Sequence, residues 1–127
     1  GAGAAGGLGF GLLAFFGAKL RPGIDVVLDA TGFDRRVTGA AAIITGEGSF
    51  DAQSAHGKVV AGVARRAGGV PVHVLAGRVE TGAAETIPGV VSATAITPPG
   101  QDEAAALASA EANLNRAARN LAAQLLI

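Results

Sequence analysis

The chain has 127 residues, ten basic and ten acidic, for a formal net charge of zero, and it contains no Cys, Met, Trp or Tyr. Zero charge without a basic run leaves no electrostatic footprint for nucleic acid, and apolar runs such as Leu12 to Phe16 are far too short to span a membrane. The absence of Cys excludes a disulfide scaffold and thiolate metal sites, and it fits the cytoplasm.

The first segment, Gly1 to Gly17, mixes glycines with Leu8, Phe10, Leu12, Leu13, Phe15 and Phe16. Apolar residues fall on nearly every face, so a buried helix is expected, or a Gly-rich loop running into one. After Arg21-Pro22-Gly23, the residues Ile24, Val27, Leu28 and Ala30 repeat at helical spacing. Pro22 suits the start of a short helix and Gly32 its C-terminal cap. Ala40 to Thr45 reads as a buried parallel strand ending in a polar Gly-rich turn. Ser54 to Ala67 follows as a helix with Val59, Val60, Val63 and Ala67 on one stripe and Arg65-Arg66 near its end. Pro71 to Ala76 is a second strand closed by Gly77, and Val90 to Ile96 a third. From about Asp102 a long helix is expected, with Leu107, Leu114, Leu121, Leu125, Ala110 and Ala118 as its buried stripe.

The order strand, helix, strand, loop, strand, helix is an α/β pattern with a right-handed crossover. Three strands are few, because parallel strands need cover on both faces and neighbours at their sides. The core is also thin in large side chains, since 49 of the 127 residues are Ala or Gly. The chain starts Gly1-Ala2-Gly3 without an initiator Met, and these residues are therefore expected to be part of something longer.

In open α/β sheets, ligands bind beyond the carboxyl ends of the strands. The first strand ends in Thr45-Gly46-Glu47-Gly48-Ser49-Phe50-Asp51-Ala52-Gln53. Glu47 and Asp51 would share one loop, with Gln53 and Ser54 adding hydrogen bonds at a helix start. Gly57-Lys58 would add an ammonium nearby. Two carboxylates, one Lys and exposed amides suit Mg²⁺ and phosphate handling. The structural alternative is that Asp51 or Ser54 caps the helix, Glu47 is solvated and Lys58 pairs with a neighbour. Gly57-Lys58 is not a Walker motif, since Ala52 stands where Gly belongs and Val59 where Ser or Thr belongs. Gly1, Gly3 and Gly6 have the spacing of a dinucleotide fingerprint but lack the preceding strand. They form either a close-packed helix entry or a backbone cradle for anionic oxygens. His56 is a candidate general acid or base. His73 reads as structural, and Asp29 and Asp34 as caps or solvated charges.

Two blocks are distinctive together. Gly1-Ala2-Gly3-Ala4-Ala5-Gly6-Gly7-Leu8-Gly9 leads to Gly17-Ala18-Lys19-Leu20. Ile43-Ile44-Thr45-Gly46-Glu47-Gly48 is followed by Asp51-Ala52-Gln53, Gly57-Lys58 and Gly62-Val63-Ala64. Their order and spacing resemble the bacterial glycerate kinase family of the glycerate 2-kinase type, over nearly the whole chain. The resemblance implies ATP- and Mg²⁺-dependent phosphorylation of D-glycerate in a cleft between two α/β domains, one flavodoxin-like with the other inserted into it. It implies a C-terminal piece: residues 1–38 as the end of the inserted domain and residues 39–127 as the C-terminal half of a flavodoxin-like parallel sheet with flanking helices. The family's N-terminal acidic Asp-Gly-Gly-Glu-Gly-Thr-type block is absent, so the missing N-terminal part is the implied partner. By the same resemblance, Gly1, Gly3, Gly6 and Gly7 would offer amides to glycerate or phosphate. Thr45, Gly46, Gly48, Gln53 and Gly57 would line the site. Glu47 or Asp51 would hold Mg²⁺ or accept the hydroxyl proton, and Lys58 would neutralise the transferred phosphoryl. The alternatives are a non-catalytic phosphate-ligand module or an inert truncation product.

Overall fold

Among the described residues, three strands form one parallel sheet in the order β1 (Ile43–Phe50), β2 (Val72–Val79) and β3 (Val90–Ala95). The structure is a computed structural model that describes residues 2–55 and 59–126. Among the described residues, six α-helices accompany the sheet: α1 (Ala4–Phe16), α2 (Gly23–Ala30), α3 (Phe33–Val37), α4 (Val60–Arg65), α5 (Glu103–Ala108) and α6 (Ala110–Leu125). The expected α/β class with a parallel sheet and flanking helices is therefore present.

β2 lies between two neighbours and has helices on both sides, so its first five residues are all buried. That is why Val72-His73-Val74-Leu75-Ala76 reads as a nearly continuous apolar run. Val72, Val74 and Ala76 face one core with Ile43, Phe50, Val60, Val63 and Leu28. Leu75, on the opposite face, meets Ala117 and Leu121 of α6. His73 shares that second face, and its Nδ1 lies 2.8 Å from Ser92 Oγ. This agrees with a structural role for His73.

Several boundaries differ from the sequence reading. β1 runs on to Phe50, because its pairing with β2 continues through Glu47↔Ala76 to Phe50↔Val79. Gly77 likewise sits inside β2 rather than ending it. The expected helix from Ser54 is split into a 3₁₀ turn, Ala52–Ala55, and α4, with residues 56–58 outside the described part. The terminal helix breaks at Ser109, whose hydroxyl donates to the Ala105 carbonyl at 2.6 Å and accepts from Gln101 Nε2 at 2.8 Å. A hydroxyl bonded back to the preceding turn loosens the helix there. After the break, the buried stripe is Asn113, Ala117 and Leu121. Of the expected stripe only Leu121 is buried, while Leu107 is 71% exposed. Asn113 is buried because it is saturated: it donates to Gln101 Oε1 at 3.1 Å and accepts from Arg116 at 3.0 Å.

α1 also departs from expectation. None of its residues is buried, and Phe15 and Phe16 are 81% and 79% exposed. Its first turn is interrupted by left-handed backbone at Ala5, Gly6 and Gly7. An additional helix, α3, follows Gly32, which takes the left-handed conformation expected just past the end of α2.

Asp29 and Asp34 are neither caps nor simply solvated. Arg66, just beyond α4, donates to both Asp34 oxygens at 2.9 and 2.6 Å and to Asp29 Oδ1 at 2.6 Å. Arg21 also bonds Asp29, and Arg65 bonds Asp25 at 2.5 Å. These pairs clamp α2 and α3 onto α4. Hydrogen bonds from Arg21, and then from Arg66, hold the Asp29 carboxyl below the usual carboxylate range. The reverse effect, led by Asp34, raises the Arg66 guanidinium. A depressed folded-state pKa stabilises the fold above the ordinary carboxylate value, and that stability is lost as pH falls through the depressed value. Arg66→Ala should therefore lower the urea midpoint at neutral pH, and the gap to the parent should narrow below about pH 4. A gap that stays constant into strong acid would contradict the clamp.

Candidate functional site at the carboxyl end of the sheet

The alternation of β1 places Ile43, Thr45 and Glu47 on one face, level with Val72, Val74 and Ala76 of β2. Ile43 is buried at the bottom, while Thr45 and Glu47 are half-buried toward the carboxyl end. There the chain turns through Asp51 into the 3₁₀ segment. Ser54, itself buried, binds both sides of this turn. Its hydroxyl donates to Glu47 Oε1 at 2.5 Å and accepts the Asp51 N–H at 3.1 Å. Asp51 Oδ1 accepts the Gln53 N–H at 2.8 Å, and the Asp51 carbonyl accepts the Ser54 N–H at 2.9 Å. A third carboxylate joins from β2's far end, where Glu80 Oε2 accepts the Ala52 N–H at 3.1 Å.

Thus Ser54 ties the Glu47 carboxylate to the Asp51 backbone, and the two residues do not share one Gly-rich loop as the sequence suggested. Glu47 belongs to the strand and Asp51 to the turn beyond it. The reason is that Gly46 serves the sheet rather than a turn. A Cβ there would collide with the Leu75 carbonyl oxygen. The capping alternative for Asp51 is realised by its bond to Gln53, yet its second oxygen keeps acceptor capacity. Glu47 likewise spends one oxygen on Ser54.

On the α5 side of the same strand ends lies a cavity of about 520 Å³. Glu47, Gly48, Gly77, Arg78, Ile96 and Leu107 are among its lining residues. Gly46 and Thr45 lie deeper in the strand and do not line it. Gln53 is exposed and contributes its backbone N–H to Asp51. Gly3 is the N-cap of α1 and Gly6 and Gly7 lie within it, and the backbone hydrogen bonds that leave this helix go to its chain neighbours, such as Ala18 N–H to the Leu12 carbonyl at 3.2 Å. They are not brought to the Glu47 turn here. The readings of Gly1, His56, Gly57 and Lys58 lie outside the described residues.

Among the described residues, no group of three or more His, Cys, Asp or Glu side chains is arranged to hold a metal ion. Mg²⁺ asks less of a site than such a group, since it keeps several waters and takes one or two carboxylates plus substrate phosphates. No helix among the described residues is long and apolar enough to cross a membrane. Sequence reasoning noticed Ser54 only as a helix-start hydroxyl and missed it as the bridge between the Glu47 carboxylate and the Asp51 backbone. The Asp-x-x-Ser spacing is a local signal for it. Glu80, Arg78 and Glu103 gave no such signal, because strand pairing and the later helix bring them in from far along the chain.

An open parallel sheet with helices on both faces and carboxylates at its carboxyl end defines an α/β protein, a class that binds ligands at that end of the sheet. The chain belongs to the glycerate kinase family, whose sequence profile, "Glycerate kinase family", matches residues 1–126. It is 44% identical over 125 residues to a glycerate kinase of Halalkalibacterium halodurans, covering 96% of this chain and 33% of that protein. It is 52% identical over 64 residues to glycerate 2-kinase of Escherichia coli, covering 50% of this chain and 17% of that protein. A solved structure of a protein from Salmonella typhimurium LT2 superposes with a TM-score of 0.70 at 38% identity. The superposition covers 98% of this chain and 31% of that one. The chain thus spans about a third of the length of the curated relatives it matches end to end.

Proposed function

We propose that this chain is the C-terminal part of a cytoplasmic glycerate kinase, which transfers the γ-phosphoryl group of ATP to a hydroxyl of D-glycerate, giving ADP and phosphoglycerate. The observation that carries the reading is the turn after β1. Ser54 holds the Glu47 carboxylate beside the Asp51 turn, at the sheet end where α/β proteins bind ligands. The family membership and the names of the relatives support glycerate and ATP as the substrates.

Phosphoryl transfer needs positioning and charge neutralisation more than covalent chemistry from the protein. In this reading, Glu47 or Asp51 would hold Mg²⁺ through its free oxygen, directly or through water. The metal, when bound, offsets the charge of the phosphate oxygens. The carboxylate not engaged by metal accepts the glycerate hydroxyl proton. Gly48 leaves the strand end bare, so substrate can approach the backbone. Thr45, Gly46 and Gln53 shape the turn from below and beside it. Lys58 neutralises the phosphoryl group, Gly57 gives it room, and the amides of Gly1, Gly3, Gly6 and Gly7 bind glycerate or phosphate oxygens.

Those last roles require the rest of the protein to bring α1 over the sheet end. In this proposal α1 belongs to an inserted domain, whereas α2 and α3 go with residues 39–127 in the flavodoxin-like one, since Leu28, Phe33 and Val37 pack into the sheet's core. The exposed apolar face of α1 fits that arrangement, since Leu8, Phe10, Phe15 and Phe16 are left for other chain to cover. The chain alone is expected to be inactive. Incubating it with ATP, Mg²⁺ and D-glycerate should give no glycerate-dependent ADP, whereas a full-length protein carrying it should form phosphoglycerate detectable by phosphorus NMR. Turnover by the chain alone would overturn the inter-domain site.

A further inference from the structure

We infer that the cavity between the strand ends and α5 is the seat of the nucleotide, with Arg78 as its phosphate contact and Ile96 and Leu107 as the wall for its base. The inference rests on the proposed kinase reading and adds to it which substrate this cavity takes.

Arg78 stands where the central strand β2 emerges, directly after Gly77, and both line the cavity. Its guanidinium is open. Among the described residues its one charged partner is Glu103 at 3.6 Å, beyond hydrogen-bond distance, with both side chains largely exposed. Arg66 shows the contrast within the same molecule, since it places three donor contacts on carboxylates at 2.6 to 2.9 Å. Such a loose exposed pair contributes little, so an incoming phosphate or carboxylate can displace Glu103 at small cost. A planar guanidinium fork suits either anion.

The wall opposite decides between them. Ile96, Ala106, Leu107 and Ala110 make an apolar surface beside Arg78. Leu107 remains 71% exposed within it. A flat apolar body laid there would cover it, and an anionic tail would reach Arg78. ATP has both parts, whereas D-glycerate has a carboxylate but no apolar face. The volume of about 520 Å³ agrees, because it falls in the range of sites for drug-sized ligands and is generous for a three-carbon acid. Glu47 lines the same cavity. A nucleotide seated there has its phosphates along the wall that carries the transfer chemistry.

The test uses a full-length enzyme carrying this chain, with Arg78→Ala, Arg78→Lys, Leu107→Asp and Glu103→Gln made separately. ATP affinity is measured by calorimetry without glycerate, and KM is measured for each substrate. Losing a charge-assisted contact should weaken ATP by about tenfold or more. In Arg78→Ala that loss should come with a glycerate KM within about twofold of the parent, and Arg78→Lys should recover part of it. Leu107→Asp should weaken ATP as well, and Glu103→Gln should leave it unchanged or tighter. A rise in glycerate KM with unchanged ATP affinity would give the cavity to the acid and overturn the inference. Unchanged values for both substrates would do the same, and so would a loss in Glu103→Gln equal to that in Arg78→Ala. A parent enzyme that binds ATP but phosphorylates no glycerate would refute the proposed function instead, and calorimetry would still decide the role of Arg78.

Discussion

Glu47→Gln and Asp51→Asn, made separately in a full-length enzyme, should each lower turnover by about 100-fold or more. Both substitutions keep the local bonds. Gln can still accept from the Ser54 hydroxyl through its side-chain oxygen, and Asn can still accept the Gln53 N–H. What each removes is a negative charge at the carboxyl end of β1, so a loss of activity without a loss of folding isolates that charge. The two roles also separate. A variant whose activity returns at high Mg²⁺ has lost a metal-binding group, whereas a proton acceptor is not replaced by added metal. Unchanged turnover in both variants would remove these carboxylates from the mechanism.

Gly46→Ala should destabilise the fold by about 3 kcal/mol, near the upper end for overpacked sites. The added Cβ would meet the Leu75 carbonyl oxygen, which is backbone of the adjacent strand and cannot rotate aside. Relief would require β1 and β2 to separate where Glu47 is held. Gly48→Ala is the internal comparison, because a Cβ there meets nothing within 4 Å. Its effect on stability should stay within about 0.5 kcal/mol. Urea unfolding of the two variants checks the contrast, and equal midpoints would contradict the close approach.

That pair of glycines also shows what was legible in the sequence. Gly46 and Gly48 were read as a turn, since Gly inside a strand is unfavourable unless backbone must come close. Only the β1–β2 register reveals that it must. β3 was legible almost residue for residue, and β2 needed only a longer end, because β-branched residues bounded by Gly and Pro turn signals favour strands. The terminal helix was harder. Its leucines at seven-residue spacing suggested a stripe, but the break at Ser109 puts Leu107 on a different helix, and a hydrogen-bonded Asn113 takes a core position that periodicity assigns to an apolar residue. Glu47 and Asp51 were singled out because sheet ends bind ligands. Ser54 was undervalued because its two bonds exist only once the turn has formed. Arg66 looked like a helix-end charge, yet its partners Asp29 and Asp34 lie more than thirty residues earlier. The glycines of α1 remain apart from the turn within the described chain, which is why their role depends on residues beyond it.

The most direct measurement is ADP release by a purified full-length protein carrying this segment, with ATP and Mg²⁺ present and D-glycerate added or withheld. Glycerate-dependent ADP formation, matched by equimolar phosphoglycerate, is the predicted result. No ADP above the glycerate-free rate, from folded protein that binds ATP, would contradict the assignment of this sheet end to glycerate phosphorylation.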